Sequence, residues 1–270
     1  MALTLWACAV TGHGDRDAAL TRLRQLQPEA GALPTVEVAW SLAALCLAAA
    51  PGTEALRDRL ASRLVGALGP GSVFPHVLGG GGVLRGHVAC FADMVYPIQA
   101  LSFHYKATGQ RSSLDAATKG AELICRRQGP AGQWWWHYDW RTGDVVEGYP
   151  VYAVHQDSMA PMALFALQEA SGRDFREPVD KGLAWLASSP ELGGGTLVDR
   201  GAGIVWRKVA RREPGKLSRY VQAIASRAHP GLRAPFTDAL FPPGPIDYED
   251  RPYHLGWVLH AFPADRVAGW

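Results

Sequence analysis

Hydrophobic and polar positions along this chain follow two helical patterns in turn. Residues 159–172, MAPMALFALQEASG, carry apolar side chains on nearly all sides, which predicts a helix that is buried all round. Residues 175–188, FREPVDKGLAWLAS, are apolar on one face only, which predicts a helix with one side in solvent. A buried helix followed by an amphipathic one, repeated, is typical of an inner and an outer ring of helices.

The pattern is part of an internal repeat. The segments from Phe91 and from His155 each contain a helix, a glycine stop and a second helix that ends in a glycine-rich loop. Equivalent residues of the two copies lie 62–64 positions apart: Asp93 and Asp157, Pro97 and Pro161, Gly109 and Gly172, Lys119-Gly120 and Lys181-Gly182.

Weaker copies extend the repeat in both directions. Glu37 precedes Gly52 by 15 positions, the same spacing as between Asp157 and Gly172. The segment PYHLGWVLHAF aligns Trp257 with Trp40, which places His254 opposite Glu37. The first helix, which ends at Gly12, is a further copy without its head. We therefore predict an all-α fold, an α/α toroid or partial barrel of about five helical hairpins with Gly- and Trp-rich loops. We expect a single domain over residues 1–270, shortened by an N-terminal helix.

Glycine and proline positions refine this prediction. Gly52, Gly109 and Gly172 are expected to cap the C-termini of inner helices. Pro97 and Pro161 are expected near the first turn of their helices, where a missing N–H is tolerated. Strand signals are few, and only residues 193–209, GGGTLVDRGAGIVWRKV, predict a small β element.

Composition narrows the functional classes. The 27 basic and 25 acidic residues leave a formal net charge of +2, which gives no reason to expect a nucleic-acid partner. No apolar run reaches the roughly 18–20 residues of a membrane span. The four cysteines lie far apart without metal-ligand spacing, which favours reduced thiols in a cytoplasmic protein and indicates neither a metal nor a cofactor.

One motif resembles a known family. Lys119-Gly120, Leu123-Ile124, Gln128, Gly132 and Trp134 follow the spacing of the QW repeat of squalene and terpenoid cyclases, with Leu123 where an aromatic residue is usual. A second copy, Lys181-Gly182 to Trp185-Leu186, matches only the head of that repeat. The resemblance implies the α/α toroid of the terpenoid-cyclase and protein-prenyltransferase superfamily. It also implies that Gln128 and Trp134 are structural residues that tie outer helix ends to the next repeat.

The acid motif of that family is incomplete here. In class II terpenoid cyclases the protonating acid lies in an Asp-x-Asp-Asp-Thr/Ser stretch at the start of an inner helix. The comparable stretch is Val154–Ser158, in which only Asp157 and Ser158 match and Gln156 stands at the place of the usual proton donor. Polyene protonation of the usual kind is therefore not expected.

The candidate catalytic residues lie at the heads of inner helices, which would ring one mouth of a central cavity. Partial burial there raises the pKa of a carboxylic acid and suits it to general acid work. We assign the acid–base role to Asp157 with its neighbour His155, and a supporting role to Asp93. Helix capping is the competing explanation for acidic residues at these positions, Glu37 above all.

The segment WWWHYDW, residues 134–140, holds four of the ten tryptophans. Neighbours in an extended stretch alternate sides, so at least one of Trp135, Trp136 and Trp140 should line the cavity. Such aromatic residues stabilise carbocations in cyclases or stack on sugars in carbohydrate enzymes. Structural packing of the whole loop remains the alternative. The predicted substrate-binding set is Trp135, Trp136, His137, Tyr138, Trp140, Glu37, Tyr149, Tyr152, Arg207, Tyr253 and His254.

Three functions fit these observations. The first is a terpenoid-cyclase-like or prenyltransferase-like enzyme that acts on a small isoprenoid by general acid–base chemistry in the cavity. The second is a carbohydrate-active enzyme on an α/α barrel, of the glycoside hydrolase, polysaccharide lyase or sugar epimerase type, with a small saccharide as its partner. The third is a toroid that binds a ligand without catalysis. An apolar cavity with one buried acid favours the first, and an open groove with several charged groups and exposed Trp faces favours the second.

Overall fold

The computed structural model describes residues 1–82 and 84–268, and this part of the chain is mostly helical. Its α-helices are α1 (Ala2–Thr11), α2 (Arg16–Gln25), α3 (Thr35–Ala48), α4 (Glu54–Ala67), α5 (Phe91–Thr108), α6 (Arg111–Arg126), α7 (Ala160–Ser171), α8 (Arg176–Ala187), α9 (Leu217–Ala228), α10 (Phe236–Leu240), α11 (Pro252–Ala261) and α12 (Ala264–Ala268). None of them is long and apolar enough to cross a membrane.

The helices pack in the alternating order that the hydrophobic pattern predicts. Contacts between helices run in the order α1, α3, α5, α7 and α11, of which α3, α5 and α7 are the most buried, and each of α1, α3, α5 and α7 also packs on the helix that follows it. The ring of Trp6 on α1 lies 5.9 Å from that of Trp257 and 5.5 Å from that of His260, both on α11. These contacts lead from the last inner helix back to the first.

The prediction of an all-α fold with one small β element understates the number of strands. Short strands pair into four small sheets: β1 (Leu33–Pro34) with β2 (Val77–Leu78), β3 (Val88–Cys90) with β4 (His137–Asp139) and β5 (Val145–Glu147), β6 (Val151–Tyr152) with β9 (Lys208–Arg211) and β10 (Pro243–Asp247), and β7 (Val198–Asp199) with β8 (Ile204–Val205). The predicted β element of residues 193–209 is among them. The strands were hard to predict because runs of two to five residues carry almost no periodic signal.

Glycine stops are confirmed at three of the four positions. Gly12, Gly109 and Gly172 follow α1, α5 and α7 in the left-handed conformation, with φ between 70° and 75°. The prediction for Gly52 is wrong, because α3 ends at Ala48 and Ala49 takes the left-handed conformation at φ 44°. Gly52 instead lies in the turn before α4, with φ 74°.

The head of α7 is a π-helix over His155–Met159. The N–H of Ala160 donates to the carbonyl of His155, five residues back, and Pro161 follows without an N–H to offer. Pro97 occupies the equivalent place in the second turn of α5, which stays α-helical, so proline alone does not widen a helix here. Single π-turns inside helices are frequent at functional sites.

Trp134 joins three elements at the centre of the repeat. Its indole is fully buried, 5.8 Å from the ring of Phe91 at the start of α5. A Cβ on Gly182 of α8 would lie 2.7 Å from the indole Nε1, so the glycine makes room for the ring. Gln128 nearby donates to the carbonyls of Gly132 at 3.0 Å and Pro178 at 2.8 Å. The Trp-rich segment is thereby fixed to the next hairpin.

We predict that Trp134→Ala costs about 3–5 kcal/mol of the free energy of unfolding, because it empties a fully buried aromatic site. Chemical denaturation followed by circular dichroism measures this cost. Tyr248→Ala is the control, because Tyr248 is 68% exposed and should be nearly neutral. A Trp134→Ala protein as stable as the control would show that the indole does not hold the hairpins together.

We also predict that Gly182→Ala lowers the free energy of unfolding by roughly 1–3 kcal/mol, although alanine is the better helix former. The added methyl would collide with the rigid Trp134 indole. Gly256 lies in the middle of α11 with open space around it, so Gly256→Ala should instead raise stability by about 0.5–1 kcal/mol. The two changes are chemically identical, and equal effects on the melting temperature would contradict the proposed junction.

Candidate active site

A cavity of about 480 Å³ lies at the heads of the inner helices. Each head contributes residues four positions apart, one helical turn, so that both point the same way. The pairs are Val36 and Trp40 on α3, Ala92 and Tyr96 on α5, His155 and Met159 before α7, and Tyr253 and Trp257 on α11, and Leu3, Trp136, Tyr152, Val154 and Arg207 complete the lining. The lining is mostly aromatic and apolar, with one imidazole and one guanidinium.

The contributing positions are not the predicted heads themselves. In each of α3, α5 and α11, the two lining residues lie one position before and three positions after the predicted residue, which is Glu37, Asp93 or His254 respectively. Before α7 they come two before and two after Asp157. A π-turn holds more residues than an α-turn, and this shift of one position brings His155 into the cavity.

His155 is the titratable imidazole in this lining. It is 6% exposed, and its ring lies 4.6 Å from that of Phe91 and 5.0 Å from that of Tyr152. Burial lowers the pKa of His155 to about 3; a hydrogen bond to the backbone of Trp134 opposes this, and the charge of His254 adds to it. The imidazole is therefore neutral near pH 7, and its Nδ1 finds no partner among the described residues.

Asp157 faces the head of α11 rather than the cavity. Its Oδ1 accepts hydrogen bonds from Nε2 of His254 at 2.7 Å and from the hydroxyl of Ser158 at 2.6 Å. A carboxylate in this position fixes the tautomer and orientation of the imidazole. The side chain of Gln156 accepts the N–H of Trp134 at 3.2 Å and donates to the carbonyl of Tyr152 at 3.1 Å. Both ends of its amide are therefore bonded to backbone groups.

Asp93 and Glu37 do not line the central cavity, where we expected them to face a substrate. Asp93 is fully buried and caps its own helix, because its Oδ2 accepts the N–H of Cys90 at 2.7 Å and contacts Nδ1 of His76 at 3.0 Å. Glu37 is exposed in the first turn of α3 and borders a separate surface cavity near Met1. An acid at the third position of a helix serves the N-terminus of that helix well, and capping accounts for Asp93.

The Trp-rich segment alternates its side chains as an extended stretch should. Trp136 lines the central cavity, with the Arg219 guanidinium 4.3 Å over its ring and His137 stacked at 3.9 Å. Trp135 points to the opposite side, onto Tyr149 at 5.8 Å, and borders a different surface cavity.

Three further residues of the predicted set serve packing. Tyr138 is fully buried, with no partner for its hydroxyl among the described residues. Trp140 is half-buried against Gly69. Tyr149 donates to Glu191 at 2.7 Å, and Glu191 also accepts from Gln133, Trp185 and Ser189. None of the three borders the central cavity.

Arg207 and Tyr152 border the cavity side by side. The guanidinium of Arg207 lies 5.6 Å over the Tyr152 ring and forms ion pairs with Glu249 and, at 3.8 Å, with Asp247. Tyr253 is half exposed at the rim. The predicted residues that meet at the cavity are thus Trp136, Tyr152, His155, Arg207 and Tyr253, with His254 behind them.

Sequence reasoning missed the aromatic residues one turn into the inner helices. Trp40, Tyr96 and Trp257 line the cavity, with the Tyr96 ring 5.1 Å from that of Trp40 and 6.0 Å from that of Trp257. The sequence contained a signal for them, because each lies three positions after one of the predicted residues at a helix head, Glu37, Asp93 or His254. Three aromatic residues at one repeat position, on helices that face each other, could have been identified as a ring.

A second cavity of about 470 Å³ adjoins the first, and Trp136 borders both. Its polar lining residues are His76, Arg85, Cys90, His137 and Arg219. Burial lowers the pKa of His137 well below its usual range, so His137 is neutral near pH 7. Arg85 lies 3.3 Å from Nε2 of His137.

One trio among the described residues could offer metal ligands: His76, Cys90 and Asp93, with donor atoms within 4.8 Å of one another. The fit is poor, because the Asp93 carboxylate already caps α5 and burial raises the pKa of the Cys90 thiol well above its usual range. Two guanidinium groups also border the same cavity. This arrangement suits an anion better than a cation.

Comparison with known proteins yields structural relatives only. No family model and no curated protein matches this chain. A D-mannose isomerase structure is similar with a TM-score of 0.52 at 15% identity, over 74% of this chain and 57% of that one. A cellobiose 2-epimerase from Bacillus thermoamylovorans (TM-score 0.49, 10% identity, 88% and 61% covered) and an α-amylase from Clostridium perfringens (0.47, 11%, 75% and 56%) are less similar.

These likenesses bear on the fold alone. The chain spans 56–61% of the length of these neighbours. At 15% identity the D-mannose isomerase supports a related helical architecture and carries no substrate with it. The terpenoid-cyclase resemblance receives no support from the comparisons.

We predict that the stability of this protein falls as the pH drops from about 6.5 to about 3, in part because of His155. Over that range the unfolded imidazole binds a proton that the buried one does not, which costs up to roughly 1.4 kcal/mol per pH unit. The penalty is absent above the unfolded pKa of about 6.5.

Denaturation midpoints at several pH values measure this dependence. His155→Gln should flatten it, whatever its effect on absolute stability, because the titrating group is gone. His229→Gln removes an exposed histidine and should leave the dependence as in the wild type. If both variants keep the wild-type slope, His155 titrates normally in the folded protein.

Proposed function

We propose that this chain is an α/α-toroid protein that acts on a monosaccharide by moving a proton between carbon atoms, as an isomerase or epimerase does. The observation that carries the proposal is the neutral, buried His155 in an aromatic-lined cavity whose described lining contains no carboxylate. A neutral imidazole can accept a proton from carbon, and aromatic faces suit the apolar faces of a sugar ring.

The α/α toroid is the architecture that best accounts for the helix contacts. The inner helices follow one another from α1 to α11, and the Trp6–Trp257 contact brings the ends together. A similar D-mannose isomerase structure supports this assignment and makes a sugar the first ligand to test.

Glycoside hydrolysis fits the cavity less well. That chemistry uses two carboxyl groups on either side of the scissile bond, about 5–10 Å apart. Neither of the two adjoining cavities has an Asp or Glu in its described lining. Asp157 and Asp93, the acids at the neighbouring helix heads, are turned to His254 and to the Cys90 backbone.

The isoprenoid alternative keeps only part of its support. The aromatic lining would suit a carbocation. However, Gln156 at the proton-donor position holds two backbone groups, and Asp157 accepts hydrogen bonds from His254 and Ser158. No acid is therefore in place to protonate a polyene within the described lining.

The proposed reaction needs a base, a group that stabilises an oxyanion, and a dry site. His155 takes the proton from C2 of the open-chain aldose, and the C–H electron pair forms the double bond of an enediol as O1 gains a proton. Return of the proton to C1, with loss of the O2 proton, gives the ketose. Its return to the other face of C2, with loss of the O1 proton and recovery of the C1 carbonyl, gives the epimer.

A nearby positive charge would allow the weakly basic His155 to remove a proton from carbon. The low pKa of His155 reduces its strength as a base, so the developing negative charge on oxygen needs a cation close by. Arg207 borders the same cavity and is held in place by Glu249 and Asp247. The Asp157–His254 pair stands behind His155, where we assign it a positioning role.

Proton exchange with deuterated water tests this function directly. We predict that the protein exchanges C1 or C2 protons in at least one of D-mannose, D-glucose, D-fructose or their phosphorylated and uronic acid counterparts, as followed by NMR. His155→Gln should slow the exchange by roughly 100-fold or more, because it removes the base. His229→Gln, a surface histidine variant, should exchange at the wild-type rate.

The other outcomes separate the alternatives. Sugar binding without exchange would favour a ligand-binding toroid without catalysis. Absence of sugar binding, together with turnover of an isoprenoid, would reverse the proposal in favour of the cyclase-like function. Equal exchange rates in the wild type and in His155→Gln would remove His155 from the mechanism.

A further inference from the structure

The second cavity carries positive charge that the described residues do not neutralise. Arg85 and Arg219 both border it, and neither has a carboxylate within ion-pair distance among the described residues. Most arginines elsewhere differ: Arg211 pairs with the buried Glu147 at 3.1 Å, and Arg141 pairs with the buried Asp139 at 2.6 Å. Among the described residues, the other arginines without an ion pair are exposed, as Arg212 is, or donate to backbone carbonyls, as Arg63 does.

The two guanidinium groups border the same cavity. Burial and the charge of Arg219 both lower the pKa of Arg85. Arg219 lies 4.3 Å over the Trp136 ring, and its Nε is buried without a partner. Like charges held together at a partly buried site are costly unless an opposite charge joins them.

His76 lies beside the two arginines in the lining of this cavity. The hydrogen bond to the buried Asp93 raises the pKa of His76, so His76 is more readily protonated than a free imidazole. Asp93 itself caps α5 and does not border the cavity. An incoming ligand thus meets cationic side chains, with the acid behind them.

We propose that the second cavity binds an oxyanion, a phosphate or carboxylate group, carried by the sugar whose reacting carbon lies at His155. Guanidinium groups bind such groups through paired, charge-assisted hydrogen bonds. Trp136 borders both cavities, and the proposal places the sugar on one side of this residue and its acidic group on the other. This inference rests on the proposed function and makes the substrate an acidic monosaccharide.

Binding of the anion can be measured apart from catalysis. We expect inorganic phosphate, titrated at constant ionic strength and followed by calorimetry, to bind the wild-type protein. Arg85→Gln and Arg219→Gln should each weaken this binding about tenfold or more, and Arg219→Lys should retain part of it. Arg212→Gln removes an exposed arginine close to Arg219 in the chain and should bind phosphate as the wild type does.

A ligand series then identifies the substrate class. Glucose 6-phosphate or glucuronate should bind at least about tenfold more tightly than glucose, and the Arg85→Gln/Arg219→Gln double variant should lose that preference while it keeps its affinity for glucose. A preference for the phosphate identifies a phosphorylated sugar, and a preference for the uronate identifies a carboxylated one. Circular dichroism and the unfolding midpoint of each variant show whether it has folded.

The two proposals fail in different ways. If neither inorganic phosphate nor either acidic sugar binds better to the wild type than to the double variant, the anion site is refuted, while proton exchange on a neutral sugar can still stand. If phosphate binds in an arginine-dependent manner but no sugar exchanges a proton, the anion site stands and the sugar isomerase function fails. His155→Gln should bind phosphate as the wild type does.

Discussion

The burial of one indole, Trp134, positions most of the candidate site. The ring fills the space that Gly182 leaves in α8 and packs on Phe91 at the start of α5. Its own backbone bonds to His155 and Gln156 at the head of α7. These contacts fix Trp134 to α5, α7 and α8. Trp136, two residues further along the chain, is thereby placed in the lining of the cavity.

The distribution of charge around the two cavities is the second constraint. The acidic side chains at the helix heads do not line the cavities. Asp157 orients His254, and Asp93 accepts the N–H of Cys90 and caps α5. Cationic and neutral nitrogen groups face inward. This distribution is the basis of the proposed proton transfer through a neutral base, and it offers no pair of carboxyl groups for glycoside hydrolysis among the described lining residues.

The repeat explains where the predicted residues lie relative to the cavity. Asp93, Asp157 and His254 do occupy the third position of their helical segments, as the alignment indicates. A residue at that position is suited to cap its own helix, whereas the residues one before and three after Asp93 and His254, and two before and two after Asp157, line the cavity. Of the predicted catalytic residues only His155 lines the cavity, and Tyr96 and Trp257, which also line it, were not predicted.

The sequence by itself determined the helical pairs, most of the glycine stops and the partly extended Trp-rich segment, because these follow from local periodicity and backbone preference. The tertiary structure decided which side of each inner helix faces the cavity, since a rotation of one position, about 100°, leaves the hydrophobic pattern of an all-round apolar helix unchanged. It also decided the π-turn that brings His155 inward and the meeting of Arg85 with Arg219 from distant parts of the chain. Those features depend on contacts between segments that no local pattern records.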